Sequence, residues 1–131
     1  MQVGDYELKD DLKYDKNNNW VKVEGDTAVF GISDAGVKRA KEIAFVELPN
    51  TGDKVEQGKA CGQIESAKWA GEIIAPVGGE VVEVNQAVAD DPSCLNNAPY
   101  DNWIAKIKMS DPGQADGLMD AGACAEWLKS S

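Results

Sequence analysis

The 131-residue chain contains no histidine. That removes the side chain most used as a general base and as a metal ligand, so catalysis by this chain alone would have to rest on carboxylates. Cysteine is scarce and unpaired. Cys61, Cys94 and Cys124 are an odd number without C-x-x-C spacing, which fits neither a disulfide framework nor a zinc site; buried free thiols are the expectation. Positive charge is also short, with 13 basic residues against 23 acidic ones and a net charge of -10. Affinity for nucleic acid rests on Lys and Arg neutralising phosphates, so the balance argues against such a partner and favours docking onto basic proteins. No apolar run reaches membrane-spanning length, and the N-terminal MQVGDYELKDDLKYDKNNNW lacks the apolar core of a signal peptide. The expectation is one cytoplasmic domain over 1–131 that binds neither membrane nor metal.

What is present reads mainly as β-structure. NWVKVEGDTAVFGI predicts a hairpin turning at Gly25-Asp26, its arms rich in β-branched and aromatic residues. Ser33 and Asp34 are suited to cap a short helix running to about Glu42. IAFVELP predicts a strand ended by Pro49. Further strands are expected in EIIA and EVVEV around a Pro76-Val77-Gly78-Gly79 turn, and a short helix in DDPSCLNN. WIAKIKM alternates, Ala105, Ile107 and Met109 on one side and Lys106 and Lys108 on the other. Leu118, Ala121, Ala125 and Leu128 recur at helical spacing, which predicts an amphipathic helix over about 116–129 behind a core of about 20–110. A weak internal echo at an offset of 33 matches Gly52-Asp53-Lys54-Val55 with Asn85-Gln86-Ala87-Val88; it suggests two similar β-units flanking the segment between them.

That segment, CGQIESAKWAGEIIAPVGGEVVEVN, carries a single lysine, Lys68. Around it Ser66, Ala67, Ala70 and Gly71 are small, which leaves a protruding side chain accessible to a large enzyme, and Gly71 permits tight-turn angles. Residues 51–131 hold 6 basic and 13 acidic residues, so this lysine lies in a negative field. These features suit a lysine that another protein must grip and acylate; they equally suit an ordinary solvated lysine on its flexible stem. Local chemistry leaves both readings open.

The wider pattern adds to it. FVELPNTGDKVEQGKACGQIESAKWAGEIIAPVGGEVVEVN resembles the lipoyl carriers of the glycine cleavage H-protein family, as do VKVEGDTAVFGISD upstream and NNAPYDNWIAKIKMSDP downstream. The E-S-x-K centre, the A-P-V-x-G-E-V turn and the later N-x-x-P-Y are specific in combination. The resemblance implies a barrel-sandwich hybrid of two antiparallel sheets with short helices, α+β by class. It implies that Lys68 is amidated by lipoic acid through a lipoate-protein ligase, with Glu65, Ser66, Ala67, Trp69, Gly71 and Glu72 flanking the site. It also implies a non-catalytic carrier. The amide would remove one positive charge, taking the net charge from -10 to -11. The dithiolane at the end of the tether would cycle by thiol–disulfide exchange at high effective concentration beside a docked partner.

Three departures bear on the pathway. The family has His-x-Trp where this chain reads Asn18-Asn19-Trp20, and Tyr-Ala-Gln follows GISD where this chain has Ala35-Gly36-Val37. Glycine cleavage members tend to read E-S-V-K-A, then serine and aspartate, where this chain has Glu65-Ser66-Ala67-Lys68-Trp69-Ala70-Gly71-Glu72. Trp69 is either a partner hot spot or a cap on the barrel end. A tryptophan after the lysine is similar to the lipoate-binding proteins of bacterial sulfur oxidation, which implies heterodisulfide-reductase-like partners. That branch is the first expectation. The alternative is a conventional glycine cleavage carrier, moving an aminomethyl group among the P, T and L proteins.

Other classes are weaker. A biotin carrier would place methionines where Ala67 and Trp69 stand, and a lipoyl module of a 2-oxo acid dehydrogenase would carry a linker that this chain lacks. An enzyme could use Glu65, Glu72 or Asp34, but scattered carboxylates on an acidic chain are ordinarily solvated surface. A non-lipoylated interaction protein stays open.

Overall fold

The computed structural model describes residues 1–66 and 70–130. In chain order they form β1 (Gln2–Val3), β2 (Tyr6–Glu7), β3 (Lys13–Tyr14), β4 (Asn19–Glu24), β5 (Thr27–Ile32), α1 (Asp34–Ala40), β6 (Ile43–Glu47), β7 (Lys54–Val55), β8 (Ala60–Ser66) and β9 (Ala70–Ile74). There follow β10 (Gly79–Val84), α2 (Gln86–Asp90), α3 (Cys94–Asn97), β11 (Ala105–Met109), α4 (Gly113–Asp116) and α5 (Ala121–Ser130). Two sheets dominate: a six-stranded one in the order β3-β4-β5-β11-β10-β7 and a three-stranded one in the order β6-β8-β9. Every pairing is antiparallel, and β1–β2 adds a small ribbon. This is the barrel-sandwich hybrid, mainly β with short helices. No described helix is long and apolar enough to cross a membrane.

The first hairpin forms as its alternation demands, with Glu24 opposite Thr27 and Gly25 in the left-handed region at φ 66°. Val21 and Phe30 pair and face the core between the sheets, together with Ile64, Ile73, Val81 and Ile107. The opposite face of β4 and β5 is covered too. There Trp20 and Val29 join Leu8, Leu12, Tyr14 and α5 in a second cluster. Trp20 lies across Gly31, where an added Cβ would come within 2.7 Å of the indole. The indole N–H donates to Pro99 O at 3.0 Å, which satisfies the one polar atom of a buried Trp.

Burial therefore extends on both sides of the expected 20–110 span. Leu8 and Tyr14 are fully buried, because the N-terminal segment packs under α5. The C-terminal helix starts later than 116. Met119 is drawn into a β-bridge with Tyr14 (Tyr14 N–H to Met119 O, 2.7 Å; Met119 N–H to Tyr14 O, 2.8 Å), and Asp120 caps the helix that follows. Ala121, Ala125 and Leu128 face inward as their spacing required; Leu118 precedes the helix and is half-buried. Helix α1 is capped by Ser33, whose Oγ accepts from Gly36 N–H at 3.2 Å. It ends at Ala40 rather than Glu42, since Lys41 takes φ 68°. The internal echo fails: residues 54–55 form strand β7 whereas 86–90 form helix α2.

Candidate functional site

The hairpin of β8 and β9 is built by alternation. Ile64 and Ile73 are buried and fix the inner face, so Gln63, Glu65, Ala70 and Glu72 must point outward, and all four are exposed. Gln63 pairs with Glu72, Ile64 with Gly71 and Glu65 with Ala70. A bulge at residues 60–62 lets Gly62 sit against β6, where a Cβ would lie 2.4 Å from Glu47 O. Ser66 and Gly71 are half-buried. Thus Glu65, Ser66, Gly71 and Glu72 are gathered at one end of the hairpin. Ala67, Lys68 and Trp69, which join the strands, lie outside the described residues.

A cleft of about 140 Å³ opens at the β9 edge, between the hairpin and α1. Ile32, Ala40 and Ile64 give it apolar walls, and Asn18, Arg39 and Glu72 give it polar ones. Gly71, opposite Ile64, adds no side chain to that wall. An apolar tether interrupted by one amide fits such a lining, so the residues present suit a lipoyl group.

Sequence reasoning treated Asn18 and Asn19 only as departures, and the structure gives them work. Asn18 turns the chain at φ 65°, and its carbonyl accepts from Ser33 N–H at 2.8 Å. Asn19 Nδ2 donates to Ile74 O at 2.6 Å and to Asp15 Oδ2 at 2.9 Å, which ties β4 to the end of β9. Asp15 also accepts from the backbone N–H of Asn17 and Asn19, each at 2.9 Å. Burial pushes its carboxyl above the usual carboxylate range, against those hydrogen bonds. Asn18 Oδ1 and Asn19 Oδ1 are buried without a partner among the described residues.

Two of the motifs that carried the resemblance, the A-P-V-x-G-E-V turn and N-x-x-P-Y, prove to be scaffold. In the A-P-V-G-G turn Gly79 sits at φ 153°, and a Cβ there would lie 2.0 Å from Lys108 O, so no other residue fits. In N-x-x-P-Y, Asn96 accepts from Ile43 N–H at 2.9 Å and donates to Lys41 O at 2.7 Å, holding the strained Lys41 corner where β6 begins. Tyr100 donates its hydroxyl to Glu7 O and accepts from Asp34 N–H, fastening the N-terminal segment to the start of α1. Asp34, weighed as an acid–base group, is thereby a structural partner; it also pairs with Lys38 at 3.1 Å.

Of the three thiols only Cys124 is buried; Cys61 and Cys94 are half-buried, and all three are free. Burial pushes Cys61 up to about 12, with Asp53 adding to the effect, and Cys124 up to about 11. Both stay protonated and poorly nucleophilic at neutral pH. Cys61 stands at the far end of β8 from Ser66.

Comparison with known proteins agrees with this geometry. The family model described as "Glycine cleavage H-protein" matches residues 12–131. The chain is similar to a "Probable glycine cleavage system H protein" of Thermococcus kodakarensis, 46% identical over 99% of this chain and 98% of that one. It is 42% identical to the glycine cleavage system H protein of Staphylococcus carnosus, over 92% and 97% of the two chains. A crystal structure of such a protein from Mycobacterium marinum superposes with a TM-score of 0.85 at 29% identity, covering 93% of this chain and 99% of that one. These names favour the glycine cleavage alternative over the sulfur-oxidation branch expected from Trp69, and they lend no support to heterodisulfide-reductase-like partners. With the family model spanning nearly its whole length, this chain belongs to the glycine cleavage H-protein family.

Proposed function

We propose that this chain is the lipoyl carrier of a glycine cleavage system, with lipoate amide-linked to Lys68 and an aminomethyl group carried among the P, T and L proteins. The observation that carries the reading is the hairpin. β8 and β9 pair through Glu65 and Ala70, and the three residues joining them hold the sole Lys or Arg between Lys59 and Lys106. When bound, lipoamide supplies a dithiolane that opens to a dithiol by two-electron exchange. The chain's own residues do three things. The buried Ile64 and Ile73 lock the hairpin, Glu65 and Glu72 place negative charge on its outer face, and the cleft lined by Ile32, Ile64 and Arg39 offers a resting place for the tether. Chemistry on the cargo belongs to the partners, in keeping with a chain that has no histidine.

Intact-mass measurement after co-expression with a lipoate-protein ligase tests the assignment. A lipoyl increment is expected on the natural chain and none on Lys68→Ala; an unmodified natural chain would overturn it. Pathway is read separately. The lipoylated protein should accept an aminomethyl group from the glycine-decarboxylating partner, and loading with sulfur by sulfur-oxidation enzymes instead would reverse that choice.

A further inference from the structure

The outer face of the three-stranded sheet sets an exposed aromatic among exposed carboxylates. Register places Phe45, Glu65 and Ala70 in one outward row and Glu47, Gln63 and Glu72 in the next. All six are exposed, and Phe45 keeps 43% of its surface accessible, the one aromatic among the large exposed hydrophobics of the described residues. Some carboxylates on other elements have cations at hand, as Glu7 has Lys9 at 3.1 Å and Glu83 has Lys106 at 3.4 Å. Glu47, Glu65 and Glu72 make no ion pair among the described residues. One exposed aromatic ring thus stands among three carboxylates that make no ion pair among the described residues.

Position says what such a face meets. Phe45 is the cross-strand neighbour of Glu65, about 5 Å away by strand spacing, and Glu65 is three residues from Lys68. Covalent reach therefore keeps Phe45 within about 16 Å of residue 68 along the backbone path. A standard protein interface covers about 800 Å² on each partner, a disc of roughly 16 Å radius. An enzyme that brings its active site to Lys68 with such a footprint reaches Phe45 as well. Aromatic anchors dominate interface energies, and a rim of one sign selects a partner of the other and speeds its encounter.

We propose that this face, with Phe45 as its anchor, is the surface by which the enzyme that forms the amide on Lys68 recognises the chain. The occupant has a basic rim around an apolar recess. The inference rests on reading Lys68 as the acylated residue.

The test is the rate of lipoylation by a lipoate-protein ligase, followed by intact mass with the carrier concentration varied and the small substrates saturating. Phe45→Ala should raise the KM for the carrier about tenfold and leave kcat unchanged, while Phe45→Leu recovers most of the loss. Val23→Ala, which removes an exposed side chain on the other sheet, should leave both constants alone. Equal unfolding midpoints for the three variants and the natural chain separate recognition from folding. Unchanged KM in Phe45→Ala overturns the proposal. So does a loss confined to aminomethyl transfer, which assigns the face to a later enzyme, or self-association that vanishes in Phe45→Ala, which assigns it to a second copy. If the natural chain takes no lipoyl increment, the assignment of Lys68 fails first and the docking face fails with it.

Discussion

Two hairpins of this chain share antiparallel pairing and differ in their surroundings. Away from its turn, β4–β5 is covered on both sides, Val21 and Phe30 against the central core and Trp20 and Val29 under the N-terminal segment and α5. β8–β9 is covered on one side only, by Ile64 and Ile73, and shows carboxylates on the other. Burial stabilises in proportion to apolar area removed from water, so the first hairpin anchors the fold and the second is free to be read by other proteins. A carrier needs that separation. Its reactive segment must change charge and cargo repeatedly, and chemistry there must not disturb the packing that holds the strands in register.

The comparison can be broken most forcefully at Phe30. Phe30→Ala removes a fully buried ring and should cost about 3–5 kcal/mol in denaturant unfolding, while folded molecules are still lipoylated at the natural rate. A smaller loss would mean that the first hairpin is not the anchor, and slowed lipoylation of folded molecules would mean that the two are coupled. Asn96→Ala is a milder probe. It removes the hydrogen bonds to Ile43 N–H and Lys41 O, and about 1–2 kcal/mol should be lost. Because that corner leads into β6, lipoylation should slow more than for Phe30→Ala; equal rates would show that β6 holds its place without the staple. Smallest in stability is Glu65→Lys with Glu72→Lys. Both sites are exposed, so the midpoint should stay within about 0.5 kcal/mol. Lipoylation should slow several-fold at low salt and much less at high salt, as screening removes steering. An effect independent of ionic strength would remove charge as the explanation.

The hairpin at Gly25-Asp26, the alternation of β11 and the inward face of α5 were legible because each follows from local periodicity. The late start of α5 was not. It depends on Tyr14 pairing with Met119 across more than a hundred residues, and nothing local to residues 116–120 announces that partner. The thiols were half legible. Cys124 is buried as expected, but Cys61 and Cys94 lie on partly open elements, a matter of which face each element turns outward.

By itself the sequence determined the class of chain: a β-rich scaffold with one lysine set between two strand patterns, no histidine for chemistry of its own, and a strongly negative charge. Those follow from composition and from periods of two, which are local properties. Only the tertiary structure decided that Asn96, Tyr100 and Gly79 are staples rather than site residues, that Asn19 ties the two sheets together, and that Phe45 shares a face with Glu65 and Glu72. Those depend on which strands lie side by side, and register between distant segments is set by burial summed over the whole chain.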